Sequence, residues 1–138
     1  TKTAMLCALL LLCALTLSCC GQAETEKGLW EKATYSADTE LGTGAATVKV
    51  EVRAEDKSIT LTIHSDKATL GEALTEHSLI AGEQGDYGLY VKTVNGILAD
   101  YDVDKSYWAL SKGGEMLLSG VDTTALEDGA HYELVYTK

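Results

Sequence analysis

The sequence has 138 residues, too few for two independent cores, so one small domain is expected. Apolar residues make up 46% and charged residues 23%, an ordinary globular balance, while 21 acidic against 11 basic side chains leave a net charge of -10; that charge opposes a sequence-independent hold on nucleic-acid phosphates and excludes nucleic acid as the expected partner. All four cysteines lie within the first twenty residues, so no disulfide and no cysteine metal site can form in the remainder, and without proline or phenylalanine the core must rest on aliphatics, seven Tyr and two Trp.

Lys2 precedes an apolar run from Ala4 to Leu15. At about 1.5 Å per residue this run is too short to cross a hydrocarbon core of roughly 30 Å, so residues 1–19 read as a secretory signal peptide. The run ends in Leu17-Ser18-Cys19-Cys20-Gly21, which resembles the bacterial lipobox: a leucine, then small residues, then the cysteine that takes a diacylglyceryl group. Cys20 places Leu17 three positions upstream, whereas Cys19 would place Thr16 there, so Cys20 is the expected lipid attachment site, with Cys19 as the alternative and plain secretory cleavage as the competing reading. Two acyl chains anchor a protein stably. The domain is therefore expected outside the cytoplasm, tethered to the outer face of the bacterial cytoplasmic membrane. Removing residues 1–19 takes away Lys2 and no acid, leaving 10 positive against 21 negative charges, a net of -11 with the α-amine blocked. That charge serves solubility.

Residues 20–44 are polar, carry Glu24, Glu26, Glu31 and Glu40, and keep no sustained period, which predicts a tether ending near Gly42-Thr43-Gly44. Leu29, Trp30 and Tyr35 interrupt that polarity and leave packing of part of it open. Residues 45–138 then read as the folded domain, expected to fold without metal or disulfide from about Gly44. Val48, Val50 and Val52 alternate with Lys49, Glu51 and Arg53, and Ile59, Leu61 and Ile63 alternate with Thr60, Thr62 and His64, which predicts an antiparallel hairpin across Glu55-Asp56-Lys57. Thr69 with Glu72 forms a capping-box pattern ahead of Leu70, Ala73, Leu74 and Ile80, which predicts a helix over 69–81 stopped by Gly82. Asn95-Gly96 and Gly113-Gly114 mark two further hairpins, separated by a loop over 100–105, and Tyr132 to Tyr136 is the last strand. The order predicts an α+β fold: a small β-grasp-like antiparallel or mixed sheet covered by one helix.

Catalytic parts are scarce. His64, His77 and His131 show no metal-face spacing, and Asp100, Asp102 and Asp104 lack the Gly and Glu that a calcium loop needs, since Lys105 and Ser111 stand there. With no Gly-x-Ser-x-Gly and no P-loop, the sequence predicts a non-enzyme with no required cofactor and no metal site. What stands out is aromatic: Tyr87, Tyr90, Tyr101, Tyr107 and Trp108 fall within about twenty residues, and such rings serve either a recognition patch or a Phe-free core. Neighbours on a strand face opposite ways, so one of Tyr107 and Trp108 must point outward. The expected ligand-binding set is Trp108, Tyr107 and Tyr101, with Tyr90 and the Asn95-Gly96 turn.

The stretch from Ala68 to Tyr136 carries Thr69-Leu70, Ala73-Leu74, Tyr87-Gly88-Leu89-Tyr90-Val91, Val94-Asn95-Gly96-Ile97, Tyr107-Trp108, Gly114-Glu115, Gly120-Val121-Asp122 and Leu126-Glu127-Asp128-Gly129. In that order and spacing it resembles a family of small bacterial extracellular domains of undefined function, the DUF4430 type, related to the C-terminal β-domain of transcobalamin and intrinsic factor. The resemblance implies a β-grasp-like sheet and a small-molecule ligand, with cobalamin or another corrinoid as the candidate, handed on to a transporter. In the animal carriers a helical domain supplies half of the enclosure; no such domain is present in this sequence, so no cobalt-ligating role passes to His64, His77 or His131. A protein-interaction module that docks a surface protein through an exposed sheet edge is the alternative.

Overall fold

A computed structural model describes residues 28–138; the expected signal peptide over residues 1–19 and the expected lipid attachment at Cys20 or Cys19 lie outside the described residues. Strands dominate. They are β1 (Thr39–Leu41), β2 (Ala46–Ala54), β3 (Lys57–Ser65), β4 (Ile80–Gly85), β5 (Gly88–Val94), β6 (Ile97–Leu98), β7 (Tyr107–Lys112), β8 (Glu115–Met116) and β9 (His131–Thr137). Two short helices, α1 (Leu70–Glu76) and α2 (Tyr101–Asp104), and two 3-10 turns, Gly28–Lys32 and Val121–Thr123, complete the described residues. Among the described residues no helix is long and apolar enough to cross a membrane.

The α+β class is as expected, but the strands form two sheets rather than one: a six-stranded sheet in the order β1-β3-β2-β9-β7-β8, and a three-stranded sheet β4-β5-β6. β2 and β3 pair antiparallel from Ala46–Ser65 to Ala54–Lys57, as their alternation dictates, with Glu55 at φ 55° in the turn. β9 returns parallel to β2 and antiparallel to β7. Val48, Val50, Val52, Leu61, Ile63, Tyr132 and Leu134 therefore share one buried face, and they pack with Leu70 and Leu74 of α1 and with Val94 and Ile97 of the small sheet in one core. The opposite face of the large sheet carries Glu51, Arg53, Thr62, His64, His131 and Glu133 and is polar.

The expected helix over 69–81 is shorter. Thr69 and Glu72 do form the capping box, but the helix ends at Glu76, Ser78 turns the chain at φ 55°, and Leu79 and Ile80 enter the core from an extended segment. Gly82 stops no helix. It sits on β4 opposite a bulge in β5 at Lys92, where an added Cβ would lie 1.9 Å from the Tyr90 carbonyl oxygen, so only glycine admits this close approach. Residues 100–105 form one helical turn, capped by Asp100 and closed by Lys105 at φ 65°.

The tether expected over residues 20–44 is corrected from Gly28 onward. Trp30 is buried in the core with its indole N–H donated to the Ala54 carbonyl at 2.9 Å, and Leu29 N–H donates to the Glu55 carboxylate at 3.0 Å. β1 adds to β3 in parallel, Thr39 opposite Leu61, and the Asp38 carboxylate accepts from Thr60 N–H at 2.8 Å. Asn95 clamps the same segment: its side chain accepts from Tyr35 N–H and donates to the Tyr35 carbonyl, at 2.9 and 2.8 Å. A polar stretch with two or three apolar anchors is thus part of the domain, because its anchors reach the core while its acids stay in water.

Candidate functional site

The expected ligand-binding residues do not form one surface. Trp108 faces inward and is 8% exposed, its ring meeting Tyr136 edge-on at 5.6 Å and its N–H donating to the Ile97 carbonyl at 3.2 Å. It is a core residue. Asn95 is fully buried as the clamp just described, and Gly96, at φ 81°, closes the hairpin beneath the Lys32 carbonyl, so both hold the fold together rather than face a ligand. Tyr107 is the outward member of its pair, on β7; Tyr101 lies on α2 under the Lys105 ammonium at 4.8 Å; Tyr90 lies on β5 of the other sheet. These three rings are partly exposed, on three separate elements.

A better site lies where the β4–β5 turn meets the segment after β8. A cleft of about 540 Å³ there is lined by Asp86, Tyr87, Gly88, Leu118, Gly120 and Asp122, among others. Tyr87 is 97% and Leu118 99% exposed. Large apolar side chains left wholly in water on the rim of a cleft mark a surface built to be covered. The volume lies within the range of small-molecule sites.

The floor is organised by Asp122, which the Val121–Thr123 turn presents while Val121 itself is buried. One carboxylate oxygen accepts from Leu89 N–H at 2.9 Å, and the carboxylate lies so close to Gly71 and Gly88 that a Cβ on either would approach it to 2.7 and 3.0 Å. Asp122 thereby bonds the turn to β5 and lies against Gly71 of α1. Gly88 also needs its φ of 102°, so the cleft is shaped by backbone that side chains would fill. Tyr87 belongs to the aromatic group visible in the sequence, but nothing local tells an exposed ring from a buried one; its place beside Asp86 and Gly88 in a tight turn was the available signal.

On the opposite side, the polar face of the large sheet gathers Glu51, His131 and Glu133, whose donor atoms lie within 4.8 Å of one another. Glu51 accepts from Arg53 at 2.7 Å, and that guanidinium holds its carboxyl below the usual carboxylate range despite partial burial. Sequence spacing missed this group because its members come from strands 80 residues apart. The alternation His131-x-Glu133 shows only that two of them share a face. Beside it, a groove of about 440 Å³ runs over β1, β3 and β2 and is lined by Asp38, Glu40, Lys49, Thr60, Thr62 and His131.

Comparison with known proteins agrees with the fold. A comparison with curated proteins finds no match. A crystal structure of a candidate metal-binding protein from Ruminococcus gnavus is similar at 32% identity and TM-score 0.65, covering 68% of this chain and 98% of that one. Haptocorrin, solved in complex with Cbi, is similar at 21% identity and TM-score 0.56; the match covers 67% of this chain but only 25% of haptocorrin, and at that identity it is a likeness of fold. The model of the domain of unknown function DUF4430 matches residues 67–138, just over half of the chain, and includes Tyr87, Gly88, Gly120 and Asp122 of the cleft. The chain belongs to the DUF4430 family.

Proposed function

We propose that this protein is a ligand-binding module rather than an enzyme, and that the cleft between Tyr87 and Leu118 takes the edge or face of a small molecule, with a corrinoid as the leading candidate. The observation that carries this reading is the pair of fully exposed apolar side chains on the rim of a cleft whose floor is pinned by Asp122. A corrin is broad, apolar on its faces and rimmed by amides, so Tyr87 and Leu118 suit its face and the turn backbone suits its rim. Support comes from the description of both solved relatives as ligand-binding proteins, one a candidate for metal and one crystallised with Cbi. A cleft open to solvent covers one side of such a ligand. A second surface, on a transporter or another surface protein, would complete the enclosure.

Docking through a sheet edge is disfavoured by the edges themselves. β1, β6 and β8 have three, two and two residues, and the six-residue β4 pairs irregularly with β5, whose Lys92 bulges out opposite Ala81–Gly82. Short or bulged edges are the features that prevent strand addition.

The test is calorimetric titration of the protein with cobalamin. Tyr87→Ala and Leu118→Ser should each weaken binding by about 1–3 kcal/mol, the worth of a well-covered apolar contact, with the melting temperature unchanged because both side chains are exposed in the free protein. Absence of heat at millimolar cobalamin, or unchanged affinity in both variants, would reject the corrinoid reading of this cleft.

The same proposal places the domain outside the cytoplasm on a lipid anchor at Cys20. Mass analysis of the N-terminal peptide of the mature protein should find a diacylglyceryl cysteine followed by Gly21. Modification at Cys19 would move the site, and an unmodified N-terminus would remove the anchor.

A further inference from the structure

We propose that Glu51, His131 and Glu133 form a binding site for a divalent transition metal of the zinc class on the polar face of the large sheet, independent of the apolar-rimmed cleft. Three donors converge there. The His131 Nε2 atom lies 3.3 Å from Glu51 Oε2 and 3.8 Å from Glu133 Oε1. Two ligands on one tetrahedral zinc, each at about 2.0–2.1 Å, stand roughly 3.3 Å apart; the His131–Glu51 pair has that spacing, the His131–Glu133 pair is about half an ångström wider, and all three donors lie within 4.8 Å of one another, so small side-chain adjustments bring them onto one ion.

The outer oxygens of both carboxylates are held by other partners. Arg53 donates to Glu51 Oε1 at 2.7 Å and Ser111 Oγ to Glu133 Oε2 at 2.6 Å, while Gly114 N–H points at both Glu133 oxygens, 3.1 Å from Oε1 and 3.4 Å from Oε2. Metal-ligating carboxylates are oriented by such outer partners. This arrangement leaves Glu51 Oε2 and a lone pair of Glu133 Oε1 directed at His131.

The sheet register brings the two carboxylates together. β2 and β9 place Glu51 directly opposite Glu133. Like charges at such a position are destabilising unless something between them is positive. Arg53 bonds Glu51 and its charge also reaches Glu133, whose own hydrogen-bond donors, a hydroxyl and a backbone amide, are neutral. The side chains of Glu51 and Glu133 are only 17% and 13% exposed, whereas His131, at 41%, borders the groove over β1, β3 and β2, which gives an ion its entry path. The nitrogen-plus-carboxylate donor set suits zinc, manganese or iron better than calcium, which takes six to eight oxygens.

An ion pair between His131 and the two glutamates is the competing explanation for these contacts, and zinc titration separates the two. The experiment uses the full chain in detergent with Cys7→Ser, Cys13→Ser, Cys19→Ser and Cys20→Ser, so that thiols cannot take the metal. After chelator treatment and desalting, calorimetry with zinc chloride should show one site per chain and a raised melting temperature. Glu133→Gln, which preserves shape, and His131→Ala should each weaken zinc binding at least tenfold while the metal-free protein keeps its fold by circular dichroism. Ser111→Ala should weaken it by about 10–100-fold through loss of carboxylate orientation. Absence of zinc binding at millimolar concentration, or binding that is unchanged in both Glu133→Gln and His131→Ala, would overturn the site and leave the ion pair.

Discussion

A fragment that begins at Gly44 is expected to be less stable than one that begins at Gly28 by at least about 3–5 kcal/mol, the cost of emptying a buried Trp site. Trp30 fills part of the single core, and its indole N–H satisfies the Ala54 carbonyl at the end of β2. The same truncation removes β1 from the edge of the six-stranded sheet and strips Asn95 of its Tyr35 partners, leaving a fully buried amide unsatisfied. Against a total stability of about 5–15 kcal/mol for a domain of this size, the loss is large. Urea titration of the two fragments, with Trp30→Ala in the longer one, measures it; coincident midpoints would show that residues 28–44 lie outside the cooperative unit.

Trp108→Ala should destabilise the protein by about 3–5 kcal/mol, whereas Tyr107→Ala on the same strand should cost less than about 1 kcal/mol. The two residues are adjacent, yet β7 sends Trp108 inward against Tyr136 and Ile97 and leaves Tyr107 on the polar face. Cobalamin affinity should be unchanged in Tyr107→Ala, since Tyr107 does not line the cleft. Thermal melts of both variants decide the matter. A Trp108→Ala protein as stable as the parent would mean that its ring contributes little to packing.

Local chemistry explains which parts of the fold were legible. The β2–β3 hairpin followed from strict alternation of Val and Ile with charged or hydroxyl residues, and the β5–β6 turn from Asn95-Gly96, which take φ 51° and 81° as the turn requires. Thr69 and Glu72 likewise announced the start of α1. Its end was hidden, because the stop is Ser78 in a left-handed conformation, a role that serine seldom takes, and because Leu79 and Ile80 continue an apolar stripe that fits a helix as well as a strand. The division into two sheets was hidden as well, since strand signals do not say which strands pair.

The site was less legible than the fold. The motif Tyr87-Gly88 and the motif Gly120-Val121-Asp122 were both visible as segments, but only their meeting in space makes a cleft. Trp108 drew attention as the largest ring near a turn, although in a core without phenylalanine a tryptophan is needed to fill volume. Glu51, His131 and Glu133 come together through the parallel register of β2 with β9, a contact no local pattern encodes.

The most direct measurement is a nuclear magnetic resonance titration of the ¹⁵N-labelled protein with cobalamin. Shifts should concentrate in the amides of Asp86, Tyr87 and Gly88 and of Leu118 to Thr123, while those of Tyr101 and Tyr107 stay in place. Shifts centred on Tyr101 and Tyr107, or none at millimolar cobalamin, would contradict ligand binding at the Tyr87–Leu118 cleft.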